Sequence, residues 1–386
     1  MSDLPEDDAF PPIPHCDLLA GVAPLRDELL AAVARVVDSG WYILGREVEQ
    51  FEQEFAEFHG GGLAVGVANG TDALCLALRA CGLQPGDAVV TVSHTAVATV
   101  AAIEQGGFVP VLADIDPRRY TMCPDSLLQA LHSAAAVGLK VRAVVPVHLY
   151  GQPADLAAIL DIAERHGLQV VEDCSQAHGA LWRDRMVGTC GQAAAWSLYP
   201  TKNLAALGDG GIVLCSSSET AERLRMLRQY GWKRRNWSEC AGVNSRLDEL
   251  QAAMLRVRLR QLQDDNSRRA TVAASYLQAL EHLKICPSVA EDCRHVWHQF
   301  VIRLKKRKKL IEFLDAKGIS SMIHYPTPVH LQPAYLGRLH FPGDLPHTVH
   351  AADQVLSLPM FPGILKQQTD RIIQAVLQFH AEEADP

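Results

Sequence analysis

Three short segments of the sequence carry side chains that could act together on a charged ligand. The turn 68–72 (Ala-Asn-Gly-Thr-Asp) stands between an apolar run and an apolar helix pattern, and the N-terminus of a helix attracts anions. Asp173 stands two residues beyond the apolar run 170–171, at the end of a predicted strand, and ligands collect beyond the carboxyl ends of strands in open α/β sheets. Lys202 follows Ser197 by five residues and precedes a glycine-rich loop. An anion site, a carboxylate and an amine therefore follow one another along the chain.

Each of these segments has an ordinary alternative when it is taken alone. The turn could be a plain N-cap between a strand and a helix, Asp173 could cap the following helix, and Lys202 could be a surface lysine in a loop. Together they match pyridoxal 5'-phosphate (PLP), whose phosphate needs an anion site, whose pyridine nitrogen needs an acid and whose aldehyde needs a lysine. Burial lowers the pKa of a lysine, which favours the neutral amine that forms a Schiff base. The combination predicts a PLP site with Lys202 as its catalytic residue.

The elements that must position these side chains alternate between strands and helices. Short runs that are apolar throughout predict strands at 63–67, 88–92, 109–112, 143–147, 168–171, 193–197 and 212–215. Helical patterns lie between several of them, as at 72–81, 95–105 and 155–166. Strands that are apolar on both faces favour a mostly parallel sheet with helices on both sides. The sequence therefore predicts an α/β fold.

The chain is expected to divide into two domains after a short tail. Residues 1–12 are predicted to be a polar, flexible tail, residues 13–255 the large domain and residues 256–386 a smaller C-terminal α+β domain. A helical stretch at about 246–280 would lead from one domain to the other. Beyond it we expect strands near 299–304 and 321–324 and helices near 307–317 and 367–380.

Composition and charge exclude several classes of function. The 386 residues carry a formal net charge of −8, whereas general nucleic-acid binding needs a basic surface. The acidic N-terminus lacks a secretory pattern and the most apolar stretch, 88–103, is interrupted by polar residues, so no membrane association is expected. The ten cysteines form no C-x-x-C pair, and His295 with His298 lacks partner spacing, so no metal site is predicted. Scattered free thiols indicate a cytoplasmic protein.

One basic run, residues 305–309 (Lys-Lys-Arg-Lys-Lys), stands out against this acidic background. It could bind phosphate or act as a localisation signal, or it could be the solvated start of a helix or a loop. Runs of like charge are usually solvated, so the sequence favours the last interpretation.

Seven segments between residues 39 and 380 form a specific pattern when they are taken together. They are 39–45 (Ser-Gly-Trp-Tyr-Ile-Leu-Gly), 68–74, 147–152 (Val-His-Leu-Tyr-Gly-Gln), 172–179, 200–211, 242–251 and 323–326 (Ile-His-Tyr-Pro). With these segments the chain resembles the DegT/DnrJ/EryC1/StrS family of sugar aminotransferases. The resemblance implies a PLP enzyme of fold type I, with an aspartate-aminotransferase-like large domain, a mostly parallel sheet and a smaller C-terminal domain. It also implies a homodimer with shared active sites.

The resemblance further assigns roles to individual residues. Lys202 would bond the cofactor aldehyde, Asp173 would pair with the pyridine nitrogen and Gln176 would hydrogen-bond the ring hydroxyl. The residues expected to hold the phosphate, the last of them reaching over from the partner subunit, are Gly70, Thr71, Ser197 and Asn244. The residues expected near the sugar nucleotide are Tyr42, Leu44, Gly45, His324 and Tyr325.

One position departs from the family pattern. Relatives usually carry an aromatic residue after the threonine of a strand–helix turn, where it stacks on the cofactor ring, but this chain has Ala96 after Thr95. His94 could provide the stacking group, or it could pack near the end of the sheet. We expect His94 to bind the cofactor, and the identity of the stacking residue stays open.

The resemblance implies transamination of a nucleotide-linked keto-sugar by L-glutamate, which gives an amino-sugar nucleotide and 2-oxoglutarate. Segments 230–232 and 244–249 resemble members that aminate C3 of dTDP-linked 3-keto-6-deoxyhexoses; Arg234 and Arg235 between them could meet a diphosphate or could be exposed loop arginines. Alternatives are an aminotransferase for a C4 keto-sugar or a keto-cyclitol, a PLP-dependent dehydratase, which would carry histidine in place of Lys202, and a non-catalytic PLP-binding regulator. A Rossmann oxidoreductase has little support, because no G-x-G-x-x-G follows a strand.

Overall fold

The computed structural model describes residues 11–384 as an α/β fold, so residues 1–10 of the expected tail lie outside the described residues. The strands in chain order are β1 Leu63–Val67, β2 Ala88–Val92, β3 Val109–Ala113, β4 Val141–Val144, β5 Gln169–Asp173, β6 Leu181–Trp182, β7 Arg185–Met186, β8 Ala193–Ser197, β9 Gly211–Cys215, β10 Trp232–Arg234, β11 Trp237–Ser238, β12 Cys293–Arg294, β13 Phe300–Arg303 and β14 Val355–Leu358. The α-helices are α1 Leu18–Val22, α2 Arg26–Ser39, α3 Arg46–Phe58, α4 Gly70–Ala80, α5 Val97–Gln105, α6 Pro124–Ala136, α7 Leu156–His166, α8 Ser218–Leu227, α9 Glu249–Leu259, α10 Leu262–Leu280, α11 Arg307–Ala316, α12 Pro346–Gln354 and α13 Lys366–Ala384.

A seven-stranded sheet, in the order β1-β9-β8-β5-β4-β2-β3, forms the centre of the large part of the molecule. Strands β3, β2, β4, β5 and β8 pair in parallel, whereas β9 is antiparallel to both β8 and β1. The prediction of a mostly parallel sheet is therefore confirmed. Because β9 runs backwards between its neighbours, its first residue lies at the edge where they end, and Gly211 pairs with both Ser197 and Val67.

Alternate residues of β8 pack into opposite layers of the molecule, as the period of two in a strand requires. Ala195 belongs to the apolar cluster that includes α4, and Trp196 belongs to the cluster that includes α3. The Trp196 ring meets Phe55 of α3 edge-on, with the ring centroids 5.1 Å apart. Both faces of the strand are thus covered, which explains why its sequence is apolar throughout.

Two predictions about regular structure are wrong. The helical stretch expected at 246–280 is two helices, α9 and α10, which separate at Arg260 and Gln261. The strand expected near 321–324 is reduced to one bridge between Met322 and Ser357 of β14. Beyond Met322 the backbone leaves β14, and Tyr325 contacts Gln176 of the large part instead.

The C-terminal part is built on the antiparallel pair β13–β14, which packs with α10, α11 and α13 around one apolar cluster. Ile13, near the start of the described chain, joins this cluster and bridges Ile319. Helix α9 packs on α2 and α3, whereas α10 packs on α13. We therefore propose that the domain boundary lies at the break between these two helices, near residue 260, rather than at the expected residue 255, which lies within α9. Among residues 11–384, no helix has both the length and the apolar character that crossing a bilayer requires.

Candidate active site

The turn before α4 packs directly against the ends of β8 and β9. A Cβ atom at Gly70 would lie 2.5 Å from Cβ of Ser197, and a Cβ atom at Gly211 would lie 2.2 Å from the carbonyl oxygen of Asn69. Only glycine fits at these two positions. Asn69 caps the helix by accepting a hydrogen bond from the backbone N–H of Asp72 at 2.8 Å. The N-terminus of α4, whose first N–H groups have no partner within the helix, is thereby held beside Ser197.

Asp173 is the last residue of β5, and both of its carboxylate oxygens accept hydrogen bonds. Thr99 donates its hydroxyl to Oδ2 at 2.9 Å, and the backbone N–H of Ser175 donates to Oδ1 at 3.1 Å. The side chain is buried. These donors fix the direction in which the carboxylate faces, at the same edge of the sheet as Ser197.

Lys202 lies in the connection between β8 and β9, and its side chain is half-buried. Burial lowers the pKa of the amine to about 8, although the charge of Asp173 acts in the opposite direction. The next residue, Asn203, anchors the segment by donating to Asn266 of α10 at 2.8 Å and to the carbonyl of Val296 at 3.0 Å. The segment that carries Lys202 is therefore anchored, and the amine is less basic than that of an ordinary lysine.

Two buried histidines lie close to this amine. The pKa of His178 and that of His298 are both far below the ordinary value, because burial disfavours the imidazolium and the charge of Lys202 adds to the effect. His298 also contacts Oδ1 of Asn203 through Nδ1 at 3.1 Å. From the sequence, His298 was considered only as a metal partner of His295. His178 was given no role, although it stands only two residues beyond Gln176.

One cavity of about 550 Å³ brings these groups together. The predicted residues that line it are Gly70, Thr71, Asp173, Gln176, Ser197 and Lys202. Its volume lies within the range of about 300–1,000 Å³ that is usual for small-molecule sites. Two larger grooves, of about 890 and 610 Å³, flank the loop 60–62 at the opposite end of β1 and β9. Neither contains a lysine, so chemistry rather than volume identifies the candidate site.

Gln176 connects the cavity to a wall of tyrosines. Its Oε1 accepts from the backbone N–H of Tyr150 at 2.7 Å, and its Nε2 donates to the hydroxyl of Tyr325 at 2.9 Å. The hydroxyl of Tyr150 donates in turn to the carbonyl of His324, whose Nδ1 contacts Ser357. Tyr325 and His324 therefore stand behind Gln176 and do not line the cavity itself.

The structure contradicts the expected place of His94. Its side chain is 0% exposed and does not line the cavity. It packs against Tyr120 and Tyr150, and its Nε2 lies 2.8 Å from the Tyr150 hydroxyl. Ala96, by contrast, lines the cavity. His94 therefore belongs to the packing behind the wall, because Tyr150 provides the hydrogen-bond partner that a buried imidazole requires.

The segment expected near the sugar nucleotide lies on the surface of the chain. Trp41, Tyr42 and Ile43 are 64%, 52% and 42% exposed. Leu44 is partly buried, and Gly45 is held by Glu249 of α9, whose Oε1 accepts from its N–H at 2.8 Å. The cavity includes neither Tyr42, Leu44 nor Gly45.

Asn244 is also exposed and does not line the cavity of its own chain. Its neighbour Ser245 is buried and donates its hydroxyl to Oδ2 of Asp72 on α4 at 2.6 Å. The segment around Asn244 is thereby tied to the helix whose N-terminus faces the cavity, while the asparagine itself remains on the surface.

A buried group elsewhere in the sheet combines types of side chain that bind metals. His148, Glu172 and Cys174 have potential ligand atoms within 4.8 Å of one another, and no other such group exists in the described part of the chain. However, His148 Nε2 contacts Glu172 at 3.0 Å, and its Nδ1 accepts from the N–H of Ala154. Glu172 also accepts from the N–H groups of Gly188, Cys190 and Gly191. These hydrogen bonds use the ligand atoms of His148 and Glu172, so these two residues join strands and loops and are not free to bind a metal.

Comparison with known proteins gives a consistent result over the whole chain. The DegT/DnrJ/EryC1/StrS aminotransferase family matches residues 24–377. A dTDP-3-amino-3,4,6-trideoxy-alpha-D-glucose transaminase of Streptomyces venezuelae is 47% identical over 377 residues, which cover 97% of this chain and 98% of the relative. A dTDP-3-amino-3,6-dideoxy-alpha-D-galactopyranose transaminase of Aneurinibacillus thermoaerophilus is 42% identical over 368 residues, covering 95% and 99%. Among solved structures, S. venezuelae DesV in complex with a ketimine intermediate shares 47% sequence identity with this chain. The two structures superpose with a TM-score of 0.91, covering 96% of this chain and 99% of that chain.

Proposed function

Because the chain belongs to the DegT/DnrJ/EryC1/StrS aminotransferase family, we propose that it aminates C3 of a dTDP-linked 3-keto-6-deoxyhexose with L-glutamate as donor. The predicted family, the fold of type I, the PLP cofactor and the aminotransferase activity are confirmed. Support for C3 comes from the two relatives described above, whose names both specify a 3-amino sugar. The single observation that carries the proposal is that Lys202, Asp173 and the N-terminus of α4 line one cavity.

The residues of the cavity fit PLP. The close approach of Gly70 to Ser197 leaves a cradle at the start of α4 that a side chain would fill, and a phosphate fits there beside Thr71. We assign the phosphate to these residues and the pyridine nitrogen to Asp173, whose negative charge would keep that nitrogen protonated. When bound, the cofactor supplies an electron sink that allows an amino group to pass between donor and acceptor.

Side chains of this chain would bind and orient the cofactor, and one of them would carry protons. A pKa of about 8 leaves an appreciable fraction of the Lys202 amine neutral near neutral pH, so the same group can take up and return a proton at the reacting carbon. Asn203 would hold this amine in position, and Thr99 would hold Asp173. We assign Gln176 to the ring hydroxyl, since its amide lies at the cavity and its two hydrogen bonds fix its orientation.

We further infer that two chains complete each site. The exposed Trp41, Tyr42 and Ile43 form an apolar surface that would be covered by a second copy of the chain. In such a homodimer Asn244 of one subunit would reach the phosphate of the other. Tyr42, Leu44, Gly45, His324 and Tyr325 would contact the sugar nucleotide. All ten cysteines are free in the structure, which supports a reducing, cytoplasmic location.

A panel of substrates tests this function. The purified enzyme, loaded with PLP, would be given L-glutamate and either a 3-keto or a 4-keto dTDP-hexose, and 2-oxoglutarate would be measured. We expect amination of the 3-keto sugar with at least about tenfold higher kcat/KM, which corresponds to about 1.4 kcal/mol of discrimination. Preference for the 4-keto sugar would overturn the C3 assignment. Absence of amination with every keto-sugar, together with normal PLP binding, would overturn the sugar substrate and leave the cofactor site standing.

A further inference from the structure

A second pocket lies between the large part and the C-terminal part and shares no lining residue with the cavity around Lys202. It has a volume of about 470 Å³. One side is formed by the loop before α6, with Arg118 and Tyr120, and the other by Lys284, Arg303 and Lys305 of the C-terminal part. We call Arg118, Lys284, Arg303 and Lys305 together with the space between them the basic pocket.

The charges of the basic pocket are not compensated by acids. No acidic residue lines it, and none of its four cations makes an ion pair with any residue in the range 11–384. The carboxylate of Asp116, on the same loop, accepts instead from the backbone N–H groups of Arg118 and Arg119. In a chain with a net charge of −8, four cations left unpaired around one concave space attract anions strongly.

The larger of the two grooves that flank the loop 60–62, of about 890 Å³, has arginines that are accompanied by acidic residues. It also contains two arginines, but three glutamates line it with them. There Arg228 is paired with Glu52 and also donates to the carbonyl of Gly66. The arginines of that groove lie among acidic side chains, whereas no acidic residue lines the basic pocket.

Neighbouring residues hold one cation of the basic pocket in position. Arg303 donates from Nε to Oε1 of Gln354 at 2.9 Å and from Nη1 to the carbonyl of Pro117 at 3.4 Å. Both partners come from the lining of the pocket. The planar guanidinium is thus oriented before any ligand arrives, which reduces the entropy that binding would cost. Tyr120 and Ser288 add hydroxyl groups to the same lining.

The basic run 305–309 divides at this pocket. Lys306 and Lys309 both pair with Glu383 of α13, whereas Lys305 lines the pocket and Lys308 is exposed outside it. The sequence favoured a solvated start of a helix or a loop. The run does lead into α11, but Lys306 and Lys309 are paired with Glu383, and Lys305 is the residue of the run that lines the pocket.

We propose that the basic pocket binds the diphosphate group of a small molecule, either inorganic diphosphate or a nucleoside diphosphate. Two adjacent phosphates carry enough negative charge and enough acceptor oxygens to engage all four cations, which a single carboxylate does not. A bound diphosphate would join the loop at 117–120 to residues 284–305 and so stabilise the contact between the two parts of the chain. This site lies outside the catalytic cavity, and its occupancy does not depend on the substrate proposed above.

Binding is tested on the PLP-loaded enzyme, in which the phosphate cradle at Gly70 is already filled. Isothermal titration with inorganic diphosphate, at fixed ionic strength and in a buffer without phosphate, should give one site per chain. The double variant Lys284→Gln/Lys305→Gln should bind at least about tenfold more weakly, because two charge-assisted contacts are lost. The matched control Lys308→Gln removes a neighbouring exposed charge and should bind like the wild type.

The outcomes separate clearly. Absence of binding to the wild type, equal binding by the double variant, or equal weakening by Lys308→Gln would each overturn the proposal. A second titration, with dTDP added before the diphosphate, identifies the source of the ligand. If dTDP competes with diphosphate in the wild type but not in the double variant, the ligand is a nucleoside diphosphate. If dTDP does not compete in the wild type, the ligand is inorganic diphosphate. Transamination rates of all variants should match the wild type, since none of these residues touches the cavity.

Discussion

The residues assigned to the active site fall into two groups, which differ in whether a single chain brings them to the cavity. We call Gly70, Thr71, Asp173, Ser197 and Lys202 the cofactor half, and all of these residues line one cavity. We call residues 41–43 with Asn244 the exposed strip, and none of these residues reaches that cavity in a single chain. The cofactor half follows from sheet topology, because β5 and β8 end and β9 begins at one edge. We propose that the exposed strip acts only when a second copy of the chain covers it.

The largest expected effect comes from the centre of the cofactor half. Lys202→Ala removes both the covalent attachment and the proton carrier, so we expect kcat to fall by more than about 10⁴-fold. The release of 2-oxoglutarate from L-glutamate measures it. Lys202→Arg serves as the matched control: it keeps the charge but not a neutral amine and should be equally inactive. Activity in either variant within tenfold of the wild type would remove Lys202 from its assigned role.

The next largest effect concerns the carboxylate of the cofactor half. Asp173→Asn should lower kcat by about 10²–10³-fold, the usual cost of losing one preorganised electrostatic contact. Thr99→Val removes only the 2.9 Å hydrogen bond to this carboxylate and should cost about tenfold or less. Steady-state kinetics of both variants, with the absorption spectrum of the bound cofactor, check the order. If Thr99→Val were the more damaging change, the role of Asp173 would have to be revised.

A smaller effect belongs to the exposed strip and decides whether sites are shared. Asn244→Ala should weaken PLP binding by about tenfold, the cost of one hydrogen bond to a charged group. Mixed with Lys202→Ala chains, it should recover activity, because each mixed dimer contains one site with an intact lysine and an intact asparagine. At random assortment about a quarter of all sites would be intact. The activity of mixtures at low PLP measures this, and a mixture no better than its separate parts would show that Asn244 acts within its own chain.

The pH dependence of cofactor binding gives the smallest effect. Burial lowers the pKa of Lys202 to about 8, so its neutral amine predominates above pH 8 and is lost as the pH falls. At pH 7 about a tenth of the amine is neutral, against less than about a thousandth for an ordinary lysine. The rate at which the apoenzyme captures PLP, followed by absorbance, should therefore rise about tenfold from pH 7 and level off above pH 8. A rise that continued towards pH 10 would show that the amine is not desolvated.

Much of the cofactor half could be predicted from local sequence. Strands β1, β2 and β8 match the expected bounds 63–67, 88–92 and 193–197, because strands covered on both faces are apolar without interruption. Parallel strands end at one edge, so the order of Gly70, Asp173 and Lys202 along the chain already implied a common site. The positions of these residues depend on strands and helices that the local sequence around each residue is sufficient to predict.

Other features depend on contacts that are distant in the sequence. The burial of His94 results from Tyr120 and Tyr150, which nothing near His94 indicates. Helix α3 was not among the predicted elements, although Val48, Phe51 and Phe55 recur on one of its faces. The break between α9 and α10 contains neither glycine nor proline, the residues that usually indicate the end of a helix in a sequence. The basic pocket likewise joins segments more than 160 residues apart, since Arg118 faces Lys284 and Arg303.

Because β9 runs antiparallel to β8, the connection that carries Lys202, residues 198–210, joins the two strands as a hairpin and does not cross over the sheet. The hairpin is closed by Leu198, whose N–H donates to the carbonyl of Gly210 at 2.8 Å, and its outer end is tied to α10 through Asn203. During transamination the Lys202 amine would have to separate from the bound cofactor and then return to it in every catalytic cycle. A loop that is anchored at both its base and its tip has few conformations available. The amine would therefore return to the same position in each cycle with little loss of conformational entropy.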